Sequence, residues 1–123
     1  QLEDFIEIKK KNYGKYIESG IPLLPFREGT RPNYWFYSYL VEPSEDDTYK
    51  KRLIDYLSDN KIQARGVWGL IHEQKPYVGS YRYKIETAKT YHNRIVNLPC
   101  SSNLSQEEVM RVAETIKEGL KLV

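Results

Sequence analysis

At 123 residues the chain is long enough for one domain with a modest core and too short for a large cofactor enzyme. Its 19 Lys and Arg stand against 17 Asp and Glu, a net charge of +2, which excludes the basic footprint of a nucleic-acid or anionic-membrane binder. No apolar run approaches the roughly 20 residues that span a bilayer. A single cysteine, Cys100, rules out an internal disulfide and, without a secretory segment at the front, predicts a reduced, cytoplasmic protein.

The chain starts at Gln1 and its only methionine is Met110, so it is expected to be a piece of a longer protein. Leu2, Phe5, Ile6, Tyr13, Tyr16 and Ile17 lie at helical spacing and predict an opening helix that ends near Ser19-Gly20. Lys9 to Lys11 are read as its solvated face. The proline-rich "IPLLPFREGTRPN" predicts an extended connection, and the aromatic "YWFYSYLVE", Tyr34 to Glu42, a strand covered on at least one side. A helix over "PSEDDTYKKRLIDYLSDN" should bury Leu53, Ile54 and Leu57, with Ser44 or an aspartate as its cap. The acids from Glu42 to Asp47 suit that helix start and lack the ligand pattern of a calcium loop.

"KIQARGV" is a short strand candidate, and Tyr83 to His92 a helix with Ile85, Ala88 and Tyr91 on one face. "RIVNLP" reads as another short strand. The last helix carries the strongest local signal: Ser105 and Glu108 form a capping box, and Val109, Val112, Ala113, Ile116 and Leu120 an apolar stripe. Together these elements predict an α/β, two-layer α+β domain spanning 1–123, with a small, largely antiparallel sheet of about three strands and helices mainly on one face.

Most reactive residue types have ordinary explanations. His72 and His92 lack a second ligand at a metal interval, so no metal site is expected, and His92 is assigned to a helix C-terminus. Cys100 is read as a small buried residue and Ser101 and Ser102 as turn and pre-cap residues. No Gly-x-Ser-x-Gly, Walker or Gly-x-Gly-x-x-Gly motif occurs. "QARGVWGLIHEQKPY", Gln63 to Tyr77, differs by gathering a fork-shaped cation at Arg65, an aromatic face at Trp68 and a near-neutral donor or acceptor at His72. Composition alone makes it an ordered surface loop, with ligand contact as the alternative.

Several motifs in order resemble the DegT/DnrJ/EryC1/StrS group of pyridoxal-phosphate aminotransferases acting on nucleotide sugars. They are an arginine-ending strand followed by Trp68, His72, Gln74, Pro76 and Tyr77, then "NLPCSSNLSQEEVMRVAETI", with "NYWFYSYLVE" upstream. Gly66 after Arg65 departs from the family's Arg-Pro pattern. The likeness is to the C-terminal small domain, and "LPCSSNL" with the Arg-x-x-Trp loop looks most like enzymes making amino sugars for bacterial surface polysaccharides, including the legionaminic and pseudaminic acid types. The resemblance implies a parent homodimer that moves an amino group, from glutamate, to a keto nucleotide-sugar. It implies that pyridoxal 5'-phosphate and its Schiff-base lysine belong to a missing N-terminal domain, leaving this piece inactive with no cofactor of its own. Arg65, Trp68 and His72, followed by Gln74 and Tyr77, become the substrate-side residues, without nucleic-acid or membrane partners. A non-catalytic binding or regulatory module, or an aminotransferase-like protein without its lysine, is the alternative.

Overall fold

The first helix, α1 (Leu2–Glu18), stops because Gly20 takes a left-handed φ of +79°. The Ile21 amide then reaches the Tyr16 carbonyl at 3.0 Å and the Gly20 amide reaches Ile17 at 2.9 Å, satisfying carbonyls that the helix end leaves open. In this computed structural model, which describes residues 1–46 and 48–122, α2 (Tyr49–Asp59) closes in the same way. Lys61 supplies the left-handed residue, with φ +62°, and the Ile62 amide bonds the Leu57 carbonyl at 2.8 Å. Both caps turn the chain inward, so Ile21 and Ile62 are buried.

The sheet has three strands in the order β1-β3-β2: β1 (Tyr37–Leu40), β2 (Arg65–Gly66) and β3 (Ile95–Leu98). Both pairings are antiparallel, with Tyr37 opposite Leu98, Tyr39 opposite Val96, and Arg65 opposite Asn97. Successive side chains alternate between faces, so Tyr37, Tyr39, Val96 and Leu98 enter one core with Leu53 and Leu57 of α2. Tyr16 of α1 and Val109, Val112, Ala113 and Ile116 of α4 (Gln106–Leu122) complete it. The proline-rich connection lies along the free side of β1, where the Leu24 amide donates to the Ser38 carbonyl at 2.8 Å. The result is the expected α+β two-layer domain, a small antiparallel sheet with helices on one face.

The last helix starts as its motif predicts. The Ser105 amide donates to Glu108 Oε2 at 2.7 Å, and the Glu108 amide to Ser105 Oγ at 3.2 Å. Its buried side includes Gly119, where an added Cβ would lie 2.7 Å from a ring carbon of Tyr56 and 3.0 Å from Leu53. The bare glycine therefore lets α2 and α4 approach.

Other elements depart from expectation for local reasons. The predicted apolar stripe of α1 fails in its first turns, since Leu2 and Phe5 are exposed and the buried residues are Asn12 and Tyr16. Lys10 and Lys11 are solvated, but Lys9 is half-buried and donates to the Cys100 carbonyl. The strand from Tyr34 shortens because Tyr34 has φ +53°, outside the extended region.

Before α2, neither Ser44 nor an aspartate is the cap; Thr48 holds that position without a side-chain cap bond. Asp46 instead organises the preceding turn, accepting from the Thr48 amide at 2.8 Å and the Thr48 hydroxyl at 2.6 Å, and pairing with Arg52. Those hydrogen bonds hold the Asp46 carboxyl below its ordinary range. Asp47, also assigned to that helix start, lies outside the described residues. The third helix, α3 (Thr87–Arg94), begins late because Lys84 has φ +41°, and it buries none of its residues.

The packing predicts opposite outcomes for two glycines. Gly14, with open space around it in α1, should gain up to about 1 kcal/mol when changed to alanine. Gly119→Val should cost about 1–3 kcal/mol by overpacking, and urea midpoints should move in opposite directions.

Burial also raises the phenol pKa values of Tyr16 and Tyr37 well above 10. Their folded values exceed the unfolded value, so the stability they contribute is complete below about pH 10 and is lost as pH rises further. Urea titrations across that range should fall less steeply for Tyr37→Phe than for the parent sequence.

Candidate functional site

The face of the sheet turned away from the helices carries the polar half of the alternation. Ser38, Asn97 and Arg65 follow one another across β1, β3 and β2. Ser38 donates to Asn97 Oδ1 at 2.8 Å, a bond that uses the amide oxygen and not the amide nitrogen. Ile62 and Ala64 are buried, so Gln63 and Arg65 fall on the exposed side of the same segment.

A cavity of about 490 Å³ opens at this end of the sheet, within the roughly 300–1,000 Å³ range of small-molecule clefts. Gln63, Arg65 and Asn97 line its polar side, and Leu98, Pro99 and Leu104 contribute apolar surface. Lys9 reaches the rim from α1, its ammonium on the Cys100 carbonyl. Three aromatic rings form a wall. Trp35 stacks on Phe36 at 4.8 Å with planes 22° apart, and Trp68 meets Phe36 edge-on at 5.4 Å. Both indoles are largely exposed, Trp35 by 61% and Trp68 by 71%.

The lining contains no aspartate, glutamate or histidine. Arg65 makes no ion pair among the described residues, so its guanidinium is free to meet an incoming anion. Cys100 is half-buried, and its thiol is pushed up by desolvation more than the nearby Lys9 draws it down. Such a thiol is poorly ionised near neutrality. The cavity is thus equipped to bind an anion and a flat ring, and holds no ready acid, base or nucleophile.

The residues singled out in the sequence divide between two places. Arg65 and Trp68 line the cavity. His72 and Tyr77 instead line a separate hollow of about 320 Å³ with Tyr81 and Arg82. His72 Nε2 lies 3.7 Å from Glu73 Oε1, a contact that becomes an ion pair when the imidazole is protonated. Gln74 is turned back on its own loop, donating to the Gly69 carbonyl at 3.0 Å. Lys9, Trp35, Phe36, Gln63 and Asn97 were not singled out. The alternation in "KIQARG" and "RIVNL" places Gln63 and Asn97 on a polar face, but nothing local to Lys9 or Trp35 signals their convergence.

A profile of the DegT/DnrJ/EryC1/StrS aminotransferase family matches residues 1–117, and the chain belongs to that family. It is 30% identical over 121 residues to a GDP-perosamine synthase of Escherichia coli O157:H7, covering 96% of this chain and 32% of that protein. Its fold is similar to that of the aminotransferase TlmJ from Streptoalloteichus hindustanus, with TM-score 0.83, 18% identity, and coverage of 98% of this chain and 33% of that one. It also resembles Helicobacter pylori PseC, an aminotransferase involved in the biosynthesis of pseudoaminic acid, with TM-score 0.81, 17% identity, and coverage of 96% and 33%. The chain spans about a third of the length of these relatives.

The cavity's donor set does not fit pyridoxal phosphate. Holding that group requires a lysine free to bond its aldehyde and a carboxylate for its ring nitrogen. Here the lining has no carboxylate, and its lysine is engaged on a backbone carbonyl. No helix among the described residues is long and apolar enough to cross a membrane, and no His, Cys, Asp or Glu cluster among them could hold a metal.

The raised Cys100 pKa predicts slow alkylation. Iodoacetamide at mildly alkaline pH should modify Cys100 more slowly than free cysteine, and denaturant should remove the difference, as followed by mass spectrometry.

Proposed function

We propose that this chain is the C-terminal small domain of a longer, cytoplasmic, homodimeric aminotransferase. The parent uses pyridoxal 5'-phosphate to move an amino group, from glutamate, to the keto carbon of a nucleotide-linked sugar destined for surface polysaccharide. The observation that carries this reading is the family match over residues 1–117, supported by the GDP-perosamine synthase relative.

The cofactor and its lysine belong, in this reading, to the part of the parent outside these residues, and the small domain alone is inactive. The cofactor supplies the electron sink for amino transfer. This chain supplies one wall of the substrate site. Arg65 meets substrate anions, Trp68 offers an apolar face, and His72, Gln74 and Tyr77 make further polar contacts from the adjoining loop.

The test uses the full-length protein. Added pyridoxal phosphate should produce a visible absorption band that shifts with glutamate; its absence would favour a non-catalytic binding module and overturn the enzyme reading. Arg65→Ala and His72→Ala should each raise KM for the nucleotide-sugar by about tenfold with the absorption band unchanged. Unaltered sugar kinetics in both variants would remove these residues from the substrate site.

A further inference from the structure

We infer that Lys50 clasps the neck of the exposed segment 67–91 and so positions the hollow of His72 and Tyr77 against the sheet. The consequence for substrate rests on the nucleotide-sugar reading above, whereas the clasp itself rests on geometry.

The segment leaves the sheet after β2 and returns at β3, and little holds it in between. Residues 73–91 are all exposed. Every residue lining the hollow, from Ile71 to Ile85, belongs to the segment itself, so its walls are not anchored in the core. The chain comes back through α3, which has eight residues and buries none of them. A helix that short is unstable alone in water and depends on what meets its ends.

The two ends of the segment lie side by side, because Gly66 pairs with Val96 across β2 and β3. Arg65 is on the open face, so Gly66 is on the face toward the helices. Lys50 reaches over from α2 on that face. Its ammonium donates to the His92 carbonyl at 2.6 Å, and a Cβ on Gly66 would lie 3.4 Å from the same Nζ and 3.8 Å from Cε. One side chain thus sits over both the residue where the segment departs and the last turn of the helix by which it returns. Glycine leaves the room, since a larger residue at 66 would compete for it.

The His92 carbonyl is one of the four that a helix end leaves without internal partners. Backbone amides meet two of the others: Ile95 bonds the Tyr91 carbonyl, and Val41 bonds the Arg94 carbonyl at 3.0 Å. The Lys50 bond comes from α2 and brings a cation to the negative end of α3. Between these two helices opens a cavity of about 210 Å³, with Tyr49 and Lys50 on one side and Thr90, Asn93 and Arg94 on the other. The joint is therefore made by a polar contact rather than by packed apolar side chains.

Amide exchange in the full-length protein, resolved by peptic fragments, reads the clasp directly. Lys50→Met keeps the stem and removes the charge, so it should speed exchange of the α3 amides about tenfold and leave β3 and α4 unchanged. Lys50→Arg, which keeps a cation there, should restore the protection. Lys51→Met, which breaks an exposed pair with Asp55, should change nothing. Unaltered α3 exchange in Lys50→Met, or an equal rise throughout the domain, overturns the assignment.

Steady-state kinetics of the same variants test the positioning. Lys50→Met should raise KM for the nucleotide-sugar about fivefold, with the cofactor absorption band and KM for glutamate unchanged. Added to His72→Ala it should raise that KM by less than about twofold, because both act through one segment. Full additivity of the two changes, or an unaltered KM in Lys50→Met where His72→Ala raises it, overturns the positioning. If His72→Ala also leaves the sugar kinetics unaltered, the substrate-site reading fails instead, and amide exchange alone decides the clasp.

Discussion

Two phenols with no exposed surface, Tyr16 and Tyr37, set how α1 lies on the sheet. A buried hydroxyl without an acceptor would cost about 1–3 kcal/mol, so each must reach one. Tyr37 donates to the Lys9 carbonyl at 2.7 Å, and Tyr16 to the Pro99 carbonyl at 3.1 Å. Their rings meet edge-on at 5.6 Å. One bond runs from sheet to helix and the other from helix to the end of β3. Together they hold the middle of α1 against residues 99–104, where Lys9 reaches Cys100 and Asn12 donates to the Leu104 carbonyl at 3.3 Å. The cavity rim is therefore a consequence of satisfying the core.

Strand register extends the same constraint to the open face. Burying Tyr37, Tyr39, Val96 and Leu98 on one side sends Ser38 and Asn97 to the other, because strand side chains alternate. Pairing β2 with β3 then sets Arg65 beside Asn97. A slip of one residue would invert every assignment, placing Asn97 among aliphatic groups and opening the core to water. A polar row on the free face and an apolar row on the buried face are thus one decision.

How much of this is legible in the chain depends on the range of the interaction. The start of α4 is readable because Ser105 and Glu108 satisfy one another across a single turn. The end of α1 is readable because Gly20 alone makes the left-handed cap inexpensive. The start of α2 is misread, since several acids and a serine compete for one capping role and Asp46 settles in the preceding turn. Periodicity over Tyr83 to His92 is real, yet Ile85 and Tyr91 remain exposed, because periodicity records a face without recording what covers it. Arg65 and Trp68 stand out through their neighbours in the chain. Lys9, Trp35 and Asn97 do not, because they meet only through register and helix placement.

The two groups of candidate residues differ most in what holds them. Arg65 and Asn97 are paired across the sheet, and Lys9 sits in a helix pinned by buried phenols. The backbone around His72 and Tyr77 is closed by short-range bonds, such as the Gln74 amide to the Ile71 carbonyl and the Tyr77 amide to the Gln74 carbonyl. Residues 73–91 are all exposed, so this segment can open without uncovering the core and lies at the low end of local stability. Binding through the sheet therefore uses groups already in place. Binding through His72 must also restrain a segment that the core does not hold, at an entropic cost of about 1–2 kcal/mol for each residue ordered. Contacts of equal strength on the two sides would then yield unequal affinity, with more of the net binding coming from the sheet side.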